Sequence, residues 1–444
     1  MANKSSHLYA GICLLMTVAI AACTTNTVVP TSTSMPTTSP IPVTPTVAST
    51  PTPAATPTSA APAKRPLLMA HYMPWYQTQA VSGVWGWHWT MNHFDPSKKD
   101  AKGHEQLASH FYPLTGPYDS SDDAVLEYQV LLMKASGIDG VLVDWYGIED
   151  FWDYGTINVA TGKLFQYVKK AGLKFAIVYE DATIKNMIEN KHLSESDAIT
   201  HGQKVMAYLQ NTWFKDDAYL KSGDHPVLLS FGNPPYFHSS SDWEKLFSGL
   251  KPAPVFITED DLLKPIAASS YPWPPMGMSS GGELSQSSLD GYLSSFYNRA
   301  QSYPYKVASA FPGFYDIYKD AGVNNGYGHL DARNGATFSA TLQAAVKSQP
   351  DVIQLVTWND YGEGTMIEPT VEYGYQYLQM VQQVRRATDT AAFPFSADDL
   401  TIPLQIYTMR HKNTGDAAVN AQMDKAFTAI IAGKPAEAKT LLAK

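Results

Sequence analysis

Two acidic side chains three positions apart, Asp360 and Glu363, follow the last strongly apolar run of the chain, in the string Trp358-Asn359-Asp360-Tyr361-Gly362-Glu363-Gly364. Gly362 and Gly364 permit a tight turn, so both carboxyl groups can face one bound molecule. Neighbouring acids raise each other's pKa, and one can stay protonated as a general acid while the other stays ionised. Cleavage of a glycosidic bond asks for such a pair. A strand-end turn with incidental acids would give the same string, so the pair must be weighed with what accompanies it.

Other apolar runs end in the same manner. Met69-Ala70 leads into His71-Tyr72, Val141-Leu142-Val143 into Asp144-Trp145-Tyr146, Ile177-Val178 into Tyr179-Glu180-Asp181, and Phe256-Ile257 into Thr258-Glu259-Asp260. Asp144 and Glu180 each follow an apolar run beside aromatics, which makes them the stronger candidates. Asp181 or Asp260 taken alone reads equally well as a helix cap or turn residue. The chain also holds 10 Trp and 26 Tyr, more than a core of this size needs. Aromatic rings at a surface stack on flat ligands such as sugar rings. Acids, hydroxyl acceptors and aromatic platforms converging on one cleft are what polysaccharide hydrolysis requires.

The elements that must position these groups are short apolar runs at 67–72, 140–144, 175–179, 226–230, 254–258, 307–310 and 352–357, with a weak one near 273–278. Most are separated by stretches of helical period. The stretch 122–135, for example, follows Ser121 as N-cap, turns Val125, Leu126, Val130, Leu131 and Met133 inward, and stops at Gly137. Alternating buried strands and helices predict a parallel α/β sheet, and the count predicts closure into a (β/α)8 TIM-type barrel. Such a barrel brings every strand's carboxyl end to one rim. A doubly wound open sheet is the alternative. Residues 395–444 read as a small helical appendix of three segments without chemistry of its own.

The first 23 residues read as a bacterial lipoprotein signal: Lys4, an apolar stretch from Leu8 to Ala22, then small residues before Cys23, the expected lipidation site. An ordinary signal peptide cut near Ala22 is the alternative. Residues 24–65 form a Thr/Pro/Ser-rich stalk whose prolines keep it extended, with a reach on the order of 100 Å. The domain of interest is therefore expected at 66–394. Its two cysteines, Cys13 and Cys23, both precede the mature chain's body, so no disulfide is expected there. The expected location is extracytoplasmic, lipid-anchored at the cell surface or outer membrane, and the expected state is a monomer. A net charge of −9 without a basic run argues against nucleic acid as partner. His104 and His110 stand six apart rather than the four a zinc-protease helix needs, and the glycine-rich 322–328 segment lacks dinucleotide spacing. No metal or cofactor is expected.

These strings resemble glycoside hydrolase families 71 and 99 and their bacterial relatives. The resemblance rests on the 358–364 motif, on His71-Tyr72-Met73-Pro74-Trp75-Tyr76, on Trp85-Gly86-Trp87-His88-Trp89-Thr90-Met91-Asn92-His93, on Gly116-Pro117-Tyr118-Asp119, and on 137–147. It implies a (β/α) barrel acting on α-linked glycans, α-mannan or α-1,3-glucan in type. It implies that Glu363 protonates the leaving oxygen and that Asp360 is the second carboxyl. Family 99 carries Glu at that second place and uses it on the sugar's own 2-hydroxyl; family 71 carries Asp. Asp360 follows family 71, while the Trp-His-Trp segment resembles family 99, so the stereochemical course stays open. Sugar subsites are implied at His71, Tyr72, Trp75, Tyr76, His88, Trp89, Asp144, Trp145, Tyr146, Glu180, Trp358 and Tyr361. Glu368 is a further candidate, as a partner behind the acids or as an exposed residue. A glycan-binding lipoprotein without turnover, or an enzyme processing the cell's own surface polysaccharide, would share these features.

Overall fold

The computed structural model describes residues 65–443. Cys13, Cys23 and all of the stalk before Arg65 lie outside the described residues. Eight parallel strands carry the fold: β1 (Leu67–Tyr72), β2 (Gly140–Trp145), β3 (Lys174–Glu180), β4 (His225–Phe231), β5 (Val255–Glu259), β6 (Ser269–Tyr271), β7 (Val307–Ala310) and β8 (Val352–Leu355). Their hydrogen-bonded order is β6-β5-β4-β3-β2-β1-β8-β7. β6 and β7 lie side by side at the remaining seam without a ladder, so the barrel is nearly closed and the open doubly wound sheet is ruled out.

Parallel strands covered on both faces must be apolar throughout. All six residues of β2 are accordingly buried, and so are five of seven in β3 and in β4. The sixth strand departs from the sequence reading. It lies at Ser269–Tyr271, before the 273–278 segment expected to form it. Pro272, Pro274 and Pro275 cannot donate to a ladder, while two small serines beside Ala267 and Ala268 pair readily with β5. An apolar count overlooks serines.

Register decides which side chains enter the barrel. His71 pairs with Leu142, Asp144 with Val178, and Val178 with Leu229, so these residues share the inward face. Asp144 thus reaches the interior two residues above Leu142, at the strand's carboxyl end.

The helix Asp123–Ser136 is capped by Asp122, whose side chain accepts from the Ala124 amide at 2.8 Å, rather than by Ser121. It ends at Gly137 with φ +84°, where an added Cβ would strike Arg385. The appendix helices Ile402–Lys412, Ala417–Ile431 and Pro435–Leu442 pack through Ile402, Ile406, Met423 and Ile430 into the same hydrophobic core as the barrel. Arg410 pairs with Glu127 on the Asp123–Ser136 helix. At the other end of β1, Arg65 and Arg385 share Asp139, which also accepts the Leu68 amide at 2.8 Å.

Candidate active site

The chain leaves β8 into a turn fixed at nearly every polar group. Trp358 donates its amide to the His71 carbonyl at 2.6 Å, continuing the β1 edge. The Asn359 side chain clamps Met73, accepting from its amide at 2.8 Å and donating to its carbonyl at 3.0 Å. The Thr357 hydroxyl accepts from the Asp360 amide at 2.8 Å. The Glu363 amide then donates to Asp360 Oδ1 at 3.0 Å. Gly364, at φ +66°, closes the turn where a Cβ would lie 2.7 Å from the Tyr315 carbonyl oxygen. No other residue fits there.

This geometry divides labour between the two acids. Asp360 is buried, and burial pushes its carboxyl up to about 7, but the amides of Glu363 and Gly362 favour its charged form. Glu363 is half-buried and is pushed well above the ordinary carboxyl range by burial first and then by the charges of Asp360 and Asp316. The Tyr318 hydroxyl works against that rise, donating to Glu363 Oε1 at 3.4 Å. The backbone amides thus favour charge on Asp360, while burial and its acidic neighbours favour the protonated form of Glu363.

The other strand-end acids open on the same mouth. Asp144 is raised well above its usual range by burial, then by the charges of Glu180, Asp360 and Glu363. Its Oδ1 is a buried acceptor with no hydrogen-bond partner among the described residues. Glu180 is pushed to about 8 by burial, Asp181 and Glu259, and it takes a bond from Tyr146. One wall of the mouth is aromatic. Trp75 stacks on His88 with ring centres 4.1 Å apart and planes 7° apart, Tyr146 lies 6.1 Å from Trp75, and His88 faces Asp153 at 3.3 Å.

Several expected subsite residues are instead structural. Trp145 has no exposed surface and packs against Tyr208 and Trp213 on the outer side of the sheet. Trp89 is equally buried, with its indole N–H on the Tyr118 carbonyl at 2.7 Å. Tyr76 donates to the Asn359 carbonyl at 2.8 Å, and Tyr72 donates to Gln129 at 2.6 Å. Trp358 and Tyr361 are enclosed beneath the turn. Glu368 accepts from Tyr118 at 2.8 Å, Gln129 at 2.7 Å and Tyr361 at 2.9 Å, which leaves a sugar nothing to meet. Apart from Trp145, these residues pack around the turn from behind. His71 is buried against Trp273, with ring centres 4.8 Å apart, and burial lowers it to about 3, so it is neutral.

Three further groups near the acids, Glu259, Asp316 and Tyr318, are not singled out by the sequence. Glu259 ends β5 at the same mouth, is pushed to about 7, and accepts the Gly232 amide at 2.8 Å. The strand-end rule pointed to it, but it was read only with its neighbours. Asp316 and Tyr318 come from a loop after β7, where no apolar run marks them. Asp181, by contrast, is the bland residue it can be read as, with both oxygens spent on the amides of Tyr236 and Phe237 at 2.8 Å. Among the described residues, no three His, Cys, Asp or Glu side chains converge as a metal-ligand set.

No family model matches the chain. It is 25% identical over 333 residues to a glycoprotein endo-α-1,2-mannosidase-like protein of Danio rerio, covering 68% of this chain and 70% of that one. It is 21% identical over 348 residues to the glycoprotein endo-α-1,2-mannosidase of Rattus norvegicus, with coverage of 68% and 67%. A shorter match, 31% over 94 residues and 20% of this chain, joins it to an ascus wall endo-1,3-α-glucanase of Schizosaccharomyces pombe. Among solved structures, the family 99 endo-α-mannosidase of Bacteroides thetaiotaomicron superposes with a TM-score of 0.56 at 20% identity, over 73% of this chain and 98% of that one. At that identity the superposition speaks to fold, and it is the barrel described above. The chain's homologues are thus endo-acting glycosidases of the two families its motifs resemble.

Proposed function

We propose that this chain is an endo-acting glycosidase that cleaves α-linked glycans of the mannan or glucan type, with Glu363 as acid and Asp360 as base. The observation that carries the reading is the hydrogen bond donated by the Glu363 backbone amide to Asp360 Oδ1, which biases one acid of the pair toward its charged form. Glu363, left protonated between Asp360 and Asp316, gives its proton to the glycosidic oxygen. As the C1–O bond breaks, the bonding pair goes to that oxygen and the sugar gains oxocarbenium character. Asp360 accepts the proton of the attacking oxygen, from water or from the sugar's own 2-hydroxyl. When water attacks directly, the proton taken by Asp360 is lost to solvent and Glu363 regains one from solvent. When the 2-hydroxyl attacks, Glu363, now ionised, takes a proton from the water that opens the anhydro sugar at C1, and Asp360 returns its proton to O2.

Substrate orientation falls to the open face of the mouth. Asp144 Oδ1 and Glu180 accept sugar hydroxyls, and the Trp75–His88 stack offers a flat apolar surface to a pyranose. Four carboxyl groups facing inward suit a neutral glycan rich in donors and oppose an anionic one.

We also propose export and lipidation at Cys23. In support, an apolar stretch from Leu8 to Ala22 ends in small residues directly before Cys23. Labelling with a radioactive fatty acid in the native host, with Cys23→Ser as control, tests the anchor. Incubation of the protein with linear α-mannan and α-1,3-glucan, scored by new reducing ends, tests the activity. A glycan-binding protein without turnover would retain both polymers and release nothing.

A further inference from the structure

Between β7 and the helix Ala336–Lys347 the chain forms a hairpin, Phe314–Tyr315 against His329–Leu330, paired antiparallel. Two backbone bonds lace it to the catalytic turn, from the Tyr315 amide to the Glu363 carbonyl at 2.8 Å and from the Ile317 amide to the Gly362 carbonyl at 3.0 Å. This lacing brings Asp316 and Tyr318 to Glu363. Asp316 is buried and accepts from the Tyr318 amide at 3.1 Å and the Tyr327 amide at 2.8 Å. Gly326, at φ +74°, lets the loop close round that carboxylate, since a Cβ there would lie 3.1 Å from Asp316 Oδ1. The Tyr318 hydroxyl meets Glu363 Oε1.

We propose that Tyr318 is a positioning residue for Glu363: its hydroxyl occupies one carboxyl oxygen and so leaves the other to carry the proton toward the departing sugar oxygen. The proposal rests on Glu363 being the acid. In the transfer, the proton leaves Glu363 Oε2 for the glycosidic oxygen as the C1–O pair moves to that oxygen. Negative charge then appears on the Glu363 carboxyl, and the bond from Tyr318 strengthens as it does, because hydrogen bonds to ionised acceptors are stronger. Asp316 acts in the opposite sense: burial raises its own carboxyl, the amides of Tyr327 and Tyr318 favour its charged form, and that charge raises Glu363. The charged and titratable groups that face Glu363 are Asp360 from its own turn, Asp316 and Tyr318 from the hairpin, Glu259 from β5 and Asp144 from β2. Of these, only Tyr318 donates to it.

The test compares the full chain with Tyr318→Phe and Asp316→Asn on two kinds of substrate. One is linear α-mannan or α-1,3-glucan, whichever the parent cleaves. The other is the 2,4-dinitrophenyl glycoside of the corresponding disaccharide, whose phenolate departs without a proton. Tyr318→Phe should lower kcat on the polymer by roughly tenfold or more, within the range of acid catalysis, and leave KM and the dinitrophenyl substrate nearly unchanged. The basic limb of kcat/KM should move to higher pH in Tyr318→Phe and to lower pH in Asp316→Asn. Equal losses on both substrates, no loss on either, or limbs that move together would overturn the proposal. Asp316→Asn supplies the pH comparison on its own if Tyr318→Phe unfolds. A parent chain that cleaves no α-glycan removes the functional reading, and this proposal with it.

Discussion

Asp360 and Glu363 are tied to each other through the backbone of their own turn, the Glu363 amide donating to Asp360 Oδ1 at 3.0 Å. Spacing alone would make the two acids interchangeable. The bond makes them unequal, because it favours charge on Asp360 alone. Burial and the charges of Asp360 and Asp316 favour the protonated form of Glu363.

Stability should fall as pH rises. Asp360 and Glu259 are pushed to about 7 and Glu180 to about 8 in the folded chain, all above their unfolded values. A raised group binds more protons folded than unfolded, so its contribution is complete below the unfolded pKa and lost as pH climbs through the folded one. The melting temperature should therefore decline between about pH 4.5 and pH 8. Glu180→Gln should raise it by roughly 2–4 °C at pH 8 and leave it unchanged at pH 4. Thermal melts across pH check this, and a melting temperature that rises from pH 5 to pH 8 contradicts it.

Glu368 should matter to folding more than to binding. Removing its carboxylate strands Tyr118, Gln129 and Tyr361 together. Glu368→Ala should cost about 3–5 kcal/mol by denaturant unfolding, in line with breaking a buried charged network. Glu368→Gln, which keeps part of the network, should cost less. A normally stable Glu368→Ala chain with a raised KM would return Glu368 to the sugar site.

Trp75 and Trp89 separate platform from scaffold. Trp75 lies at the edge of the mouth on His88, whereas Trp89 is sealed under Tyr76 and Tyr361. Trp75→Ala should weaken glycan binding by roughly 1–3 kcal/mol, beyond the stability it also costs as a largely buried ring. Trp89→Ala should destabilise the fold by about 3–5 kcal/mol. Calorimetric titration beside unfolding curves distinguishes the two, and the reverse pattern would exchange their roles.

The contrast shows how far the amino-acid sequence could be read. Seven strands were legible because parallel strands buried on both faces are unbroken apolar runs, and the acids were legible because each stands where such a run stops. The sixth strand was not, since Ser269 and Ser270 carry no apolar signal and pair only because β5 offers a partner. Trp89, Trp145 and Trp358 look like Trp75 in sequence. Which rings face the trough depends on register and packing between distant segments, such as Trp145 against Trp213. Asp316 and Tyr318 were hidden for the same reason, since only the hairpin's bonds to Gly362 and Glu363 bring them to the acids.

The most direct measurement is turnover of linear α-mannan and α-1,3-glucan by the parent chain, Asp360→Asn and Glu363→Gln, with glycan affinity measured in parallel. If these two side chains do the chemistry at the aromatic mouth, each substitution lowers kcat by a factor on the order of 10³ or more while affinity changes little. Variants that retain near-parental rates would contradict the assignment of the acids.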